Sequence, residues 1–305
     1  MKHNLKITAI ILTMFVVTQF IGIYVVNNYL QDQNELPYGL ETPEIEKQSD
    51  YSIFLGMIII AFIIAILLFL FLSKFKIEPV LKIWFFVVVV LALSISLFSV
   101  TKSFDKLIFG IPLIAAVIAF FLAFIKIFRK NFFVHNLAEL LVYPGIAAVF
   151  VPLLNIYTVV GLLIIISLYD MWAVWHTGFM QKMAKYQVNK LKIFSGFFVP
   201  YVSKKVRARI KKWKKTLKKS ELKKKKIKAN VAILGGGDIV FPIITAGVML
   251  KTLGLIPAIL VILGAASGLA YLFLFSEKKK FYPAMPFITG GIIVGIVLSY
   301  LFFYI

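Results

Sequence analysis

Apolar residues run along this chain in blocks of about twenty, and polar residues gather between them. A helix rises ~1.5 Å per residue, so about 20 residues cross a ~30 Å hydrocarbon layer. Nine blocks have that length, at roughly 6–27, 51–73, 82–101, 107–126, 133–152, 155–177, 231–251, 255–275 and 283–304. The pattern predicts an all-α polytopic membrane protein with nine transmembrane helices. Pro152 and Asn155 alone mark a turn between the fifth and sixth blocks, and Lys251 to Gly254 is the break between the seventh and eighth. Pro144 and Pro242 lie inside blocks, where the missing amide predicts a kink. The first block is too long for a signal-peptide core and lacks a small-x-small cleavage site, so it reads as a retained helix.

Composition supports the pattern. The chain is 61% hydrophobic and 15% charged, against about 45–50% and ~25% for a soluble domain; its mean hydropathy is +0.94. With no cysteine, disulfides, thiol nucleophiles and cysteine metal sites are excluded.

Charge changes the picture by its placement. The formal net charge is +21, but residues 182–228 hold 19 Lys and Arg against the single acid Glu221, which is +18 of it. Three units follow: helices one to six over 1–178, a basic loop over 179–229, and helices seven to nine over 230–305. Lys2 and Lys6, then Lys74, Lys76 and Lys82, then Lys126, Arg129 and Lys130, the large loop, and Lys278 to Lys280 all fall on one side of the membrane. Residues 28–50 fall on the other, with six acids and one Lys. Basic loops stay inside, so the N-terminus is expected in the cytoplasm and the C-terminus outside, in a multi-pass protein of the cell membrane. Lys102, Lys106 and Lys251 are exceptions.

Within the loop, Val206, Ile210, Trp213 and Leu217 recur at helical spacing among Lys and Arg. A surface helix over 203–219 lying on anionic lipid fits this stripe; a solvated loop whose charge enforces topology fits it too. No recognition fold accompanies the charge, so nucleic acid is not an expected partner. A homo-oligomer stays open. Residues 193–199 are apolar but too short to span, and either dip into the interface or cover a site.

Only three acids lie inside the blocks: Glu139, Asp170 and Asp238. A carboxylate at membrane depth costs at least ~2.5 kcal/mol and usually marks function. Asp170 stands 12 residues before Lys182, and Asp238 10 residues after Lys228. As helical rise these are about 18 and 15 Å, so two antiparallel helices place both carboxylates at similar depth. Carboxylates that meet in a low dielectric share one proton, one serving as base on water and the other as acid on a carbonyl. Gly235, Gly236 and Gly237, just before Asp238, permit close helix approach or local unwinding. Glu139, near His135, reads as an interfacial residue, as does His176. Tyr169 either bonds near the pair or packs. Pro283 and Pro286 disturb the start of the last helix and predict an irregular backbone edge to which an unwound substrate could add as a strand.

Other intramembrane chemistries lack their residues. His3, His135 and His176 form no HExxH, so a metalloprotease is excluded. Ala265-Ala266-Ser267-Gly268 lacks the first glycine of GxSG. An ion-coupled transporter or channel could also use two intramembrane Asp residues, but it predicts an internal repeat that the chain does not display.

Tyr169-Asp170, Gly235-Gly236-Gly237-Asp238 and Pro283-Ala284-Met285-Pro286 resemble, in order and helix number, the YD, GxGD and PAL motifs of the presenilin and signal peptide peptidase family. The length resembles its compact microbial members. The resemblance implies an intramembrane aspartyl protease with Asp170 and Asp238 as catalytic pair and Tyr169, Gly235, Gly236, Gly237, Pro283, Ala284 and Met285 in support. It implies no cofactor or metal. Met285 departs from the family's Leu; its similar size leaves the packing role intact. With the N-terminus inside, as in presenilin, the implied substrates are type I transmembrane helices.

Overall fold

A computed structural model of the chain describes residues 5–31, 36–40, 47–72, 78–105, 107–129, 131–176, 193, 195–201, 230–276 and 282–303. The basic stripe at 203–219 lies outside the described residues. Among those described, nine α-helices follow in order: α1 (Leu5–Gln31), α2 (Gln48–Leu72), α3 (Glu78–Thr101), α4 (Leu113–Phe124), α5 (Phe132–Phe150), α6 (Ile156–Trp175), α7 (Gly236–Leu253), α8 (Leu255–Phe275) and α9 (Met285–Phe303). Eight are long and apolar enough to cross a membrane. The exception is α4, which has 12 residues before its last turn widens into a π turn over Ile125–Arg129.

Two blocks are not helical from end to end. The fourth opens with a small hairpin, β1 (Leu107–Ile108) against β2 (Ile111–Pro112). Helix α4 starts only after it, where the buried Asp105 carboxylate accepts the amides of Ile114 at 3.0 Å and Ala115 at 2.7 Å. A carboxylate suits a helix N-terminus because it meets unpaired amides and the positive end of the dipole. The seventh block opens with strand β4 (Asn230–Gly235), antiparallel to β3 (Gly196–Tyr201). The helical-rise estimate of Asp238's depth therefore does not hold on that side, because the chain approaches it extended.

Asn155 makes the expected turn. Its Oδ1 accepts the Thr158 amide and Thr158 Oγ1 accepts the Asn155 amide, both at 2.9 Å, a reciprocal cap that starts α6. Lys251, out of place among basic loops, donates to the carbonyls of Val151, Pro152 and Leu154 at 3.3, 3.3 and 2.8 Å. It serves there as a cap on the turn after α5.

Helices α1, α5, α6, α7, α8 and α9 share the main core, while α3, α4 and α5 form a second one. Helices α8 and α9 pack backbone to backbone. A Cβ on Gly264 would overlap the Gly291 carbonyl, and one on Gly268 the Phe287 carbonyl. Helix α2 buries none of the residues in its apolar window; it stands at the edge, with Phe62 against Tyr169 of α6.

Candidate active site

Asp170 lies in the second half of α6, only 4% exposed. One turn earlier, Ser167 Oγ meets Thr289 Oγ1 of α9 at 2.8 Å, which fixes the two helices in register. The Asp170 carboxylate then reaches the start of α9. Its Oδ2 accepts the Met285 amide at 3.0 Å, and the Ala284 amide also faces it. Pro283 and Pro286 have no amide to give, so the two N–H groups between them both go to Asp170. These are unpaired first-turn donors of α9, and a carboxylate is their natural acceptor. Of the backbone edge expected at 283–286, the two amides thus face Asp170.

Asp238 is the third residue of α7 and partly exposed. The Gly235 amide, at the end of β4, faces its carboxylate. A Cβ on Gly235 would stand 3.1 Å from Asp238 Oδ2. The helices that carry the two carboxylates, α6 and α7, pack against each other.

The glycines do not face α6. A Cβ on Gly236 would come within 2.8 Å of both Ser195 Oγ and Tyr143 Oη, so this glycine admits α5 and the start of β3. Gly237 is exposed and faces only Phe241 of its own helix. Tyr169 packs, edge-on to Phe62 at 5.9 Å and tilted against Trp172 at 6.5 Å. Pro283 and Met285 are buried and Ala284 half-buried. His176 is exposed at the end of α6.

Residues 12–305 match the model of the family described as signal-peptide peptidase, presenilin aspartyl protease. The chain belongs to that family. It is accordingly an integral, multi-pass membrane protein of presenilin-like fold. Two solved structures of a presenilin family intramembrane aspartate protease, in C222 and P2 space groups, are similar to it with TM-scores of 0.61 and 0.59. They cover 97% and 96% of this chain and 99% and 96% of their own, at 17% and 18% identity. At such identity the likeness is one of fold. Among curated proteins, none matches the chain by sequence.

One polar group of this presenilin-family chain escaped the sequence. Glu139, expected to be an interfacial residue, is 0% exposed within the protein, with Lys126 Nζ at 2.9 Å and His135 Nε2 at 3.7 Å. Lys126, counted above as a loop charge, is itself buried. His135 Nε2 also contacts the Gly196 carbonyl at 2.9 Å, and Asn136 pairs with both backbone groups of Phe198 at 2.9 and 3.0 Å. Helix α5 thereby holds β3 as a third strand would, and Phe197 of that strand is fully buried. The available signal was spacing: His135, Glu139 and Tyr143 recur every fourth residue along an apolar helix.

Proposed function

We propose that the chain is an aspartic endopeptidase that hydrolyses peptide bonds within transmembrane helices, with Asp170 and Asp238 as the catalytic pair. The observation that carries this reading is the arrangement of the two carboxylates: they stand on packed helices, each faces backbone amides, and among the described residues neither is paired with a cation. In such a site the pair holds one proton. The ionised carboxylate takes a proton from water as its oxygen adds to the scissile carbonyl carbon, and the protonated one gives its proton to the carbonyl oxygen. A proton then passes to the amide nitrogen as the C–N bond breaks, leaving a carboxylic acid and an amine. Neither acid nor base is assigned to one residue, because the proton belongs to the pair.

A helical substrate shields its own amides, so it unwinds before cleavage. Strand β4 supplies a template for the extended form. The outer edge of β3 is taken by His135 and Asn136, whereas β4 leads directly into the turn bearing Asp238. Strand addition there brings a substrate backbone to the pair. With nine crossings, the N-terminus inside and the C-terminus outside, the substrates are type I helices. The 12 residues of α4 and five of its π turn come to 17, the lower end of what crosses a bilayer, about 17–25.

The test is cleavage of a labelled transmembrane peptide by the full chain in a bilayer. Asp170→Asn and Asp238→Asn should each lower the rate roughly 10²–10⁴-fold. Full activity in either variant overturns the pair. Ion flux without proteolysis is the result that a transporter requires; family membership does not favour it.

A further inference from the structure

The ion pair of Lys126 and Glu139 is buried on both sides, with side chains 2% and 0% exposed. Stability alone is a poor account of it, since apolar residues of the same volume serve as well or better. What an apolar pair lacks is a directed bond. Beyond the ion pair, neither Glu139 oxygen has a hydrogen bond of good geometry among the described residues. Tyr143 stands one turn further along the same face of α5, four residues after Glu139. Tyr143 is 2% exposed, and its oxygen lies 3.4 Å from Ser195 Oγ. The same oxygen rests against the bare Cα of Gly236, the residue that starts α7.

We propose that Glu139, fixed by Lys126, orients Tyr143, and that Tyr143 seats the junction of β4 and α7 that carries Asp238. Both are positioning residues; they act through Gly236 and touch no substrate. Only Gly237 separates Gly236 from Asp238, so a shift of the junction moves the carboxylate directly. The inference rests on the proposed role of Asp238 in catalysis.

Its test uses the full chain in a bilayer with a labelled transmembrane peptide, and Asp238→Asn in parallel. Tyr143→Phe removes one oxygen and keeps the ring against Phe197. It should lower kcat roughly ten- to hundredfold, the cost of misplacing a reacting group. KM should stay within about twofold, because substrate binding is not what the hydroxyl supports. Glu139→Gln should act in the same direction but also lower the melting temperature, since it strands Lys126. The variant joining Lys126→Met to Glu139→Leu should recover the melting temperature and leave kcat low.

Wild-type kcat in Tyr143→Phe, or recovery of kcat together with melting temperature in the double variant, overturns the inference and leaves the pair as packing. If Asp238→Asn cleaves normally, the reading of the site fails and the inference with it. If Asp238→Asn is inactive while Tyr143→Phe is fully active, the inference alone fails.

Discussion

Asp170 and Asp238 face backbone amides, and among the described residues no Lys or Arg is paired with either. Neutral donors orient a carboxylate without holding it ionised as a cation would, so the proposed pair can share a proton. Activity should therefore follow a bell-shaped pH profile. It falls in acid, where neither carboxylate is a base, and in alkali, where neither is an acid. A rate that keeps rising through alkaline pH would rule out proton sharing. The second prediction at this scale concerns Met285, whose amide, not its side chain, bonds Asp170. Met285→Leu keeps the amide and nearly the volume, so cleavage should stay within about twofold of wild type. Met285→Pro removes the donor; a charge-assisted bond is worth about 1.5–3 kcal/mol, so roughly ten- to hundredfold in rate should be lost. Equal rates in the two variants would mean that the bond is idle.

At the scale of elements, the last helix depends on the one before it. Its first turn carries the Asp170 donors, and its height is set where Gly268 of α8 meets the Phe287 carbonyl. A backbone carbonyl cannot yield as a flexible side chain does. Gly268→Ala should cost about 1–3 kcal/mol by overpacking, seen as a lower melting temperature in detergent, and should reduce cleavage by shifting Met285 from Asp170. A stable variant of unchanged activity would show that α9 is placed from elsewhere. Helix existence was legible, since each block of apolar residues contains a helix. The strands were not. Val231, Ala232, Ile233 and Leu234 continue the apolar run before the glycines, and a short apolar run reads alike as buried helix or strand. Pairing with β3, far away in sequence, decided it.

At the scale of the molecule, the basic loops predict an inside face and the acidic 28–50 segment an outside one. The chain lacks cysteine, so single-cysteine reporters carry no background. Leu40→Cys, 40% exposed between α1 and α2, should react with an impermeant maleimide on intact cells. Arg129→Cys, exposed at the far end of α4, should react only after permeabilisation. The reverse result would invert the topology and with it the expected type I substrates.

Periodic hydrophobicity, loop charge and three short motifs were enough to determine a membrane protein of many helices, its family, and two intramembrane Asp residues worth pairing. These are local properties, readable wherever an apolar run or a costly charge stands in the chain. Contacts across the chain belong to the tertiary structure alone. It took the amides between Pro283 and Pro286 to Asp170, turned Gly236 towards Tyr143 instead of α6, and drew Lys126 inward from a loop to Glu139. No spacing rule encodes such partners, because they are chosen by which helices pack together and at what height. The stretch around Asp238 shows both sides of this: its carboxylate and glycines stand out in the sequence, but its place at the head of a helix came from a strand partner more than thirty residues away.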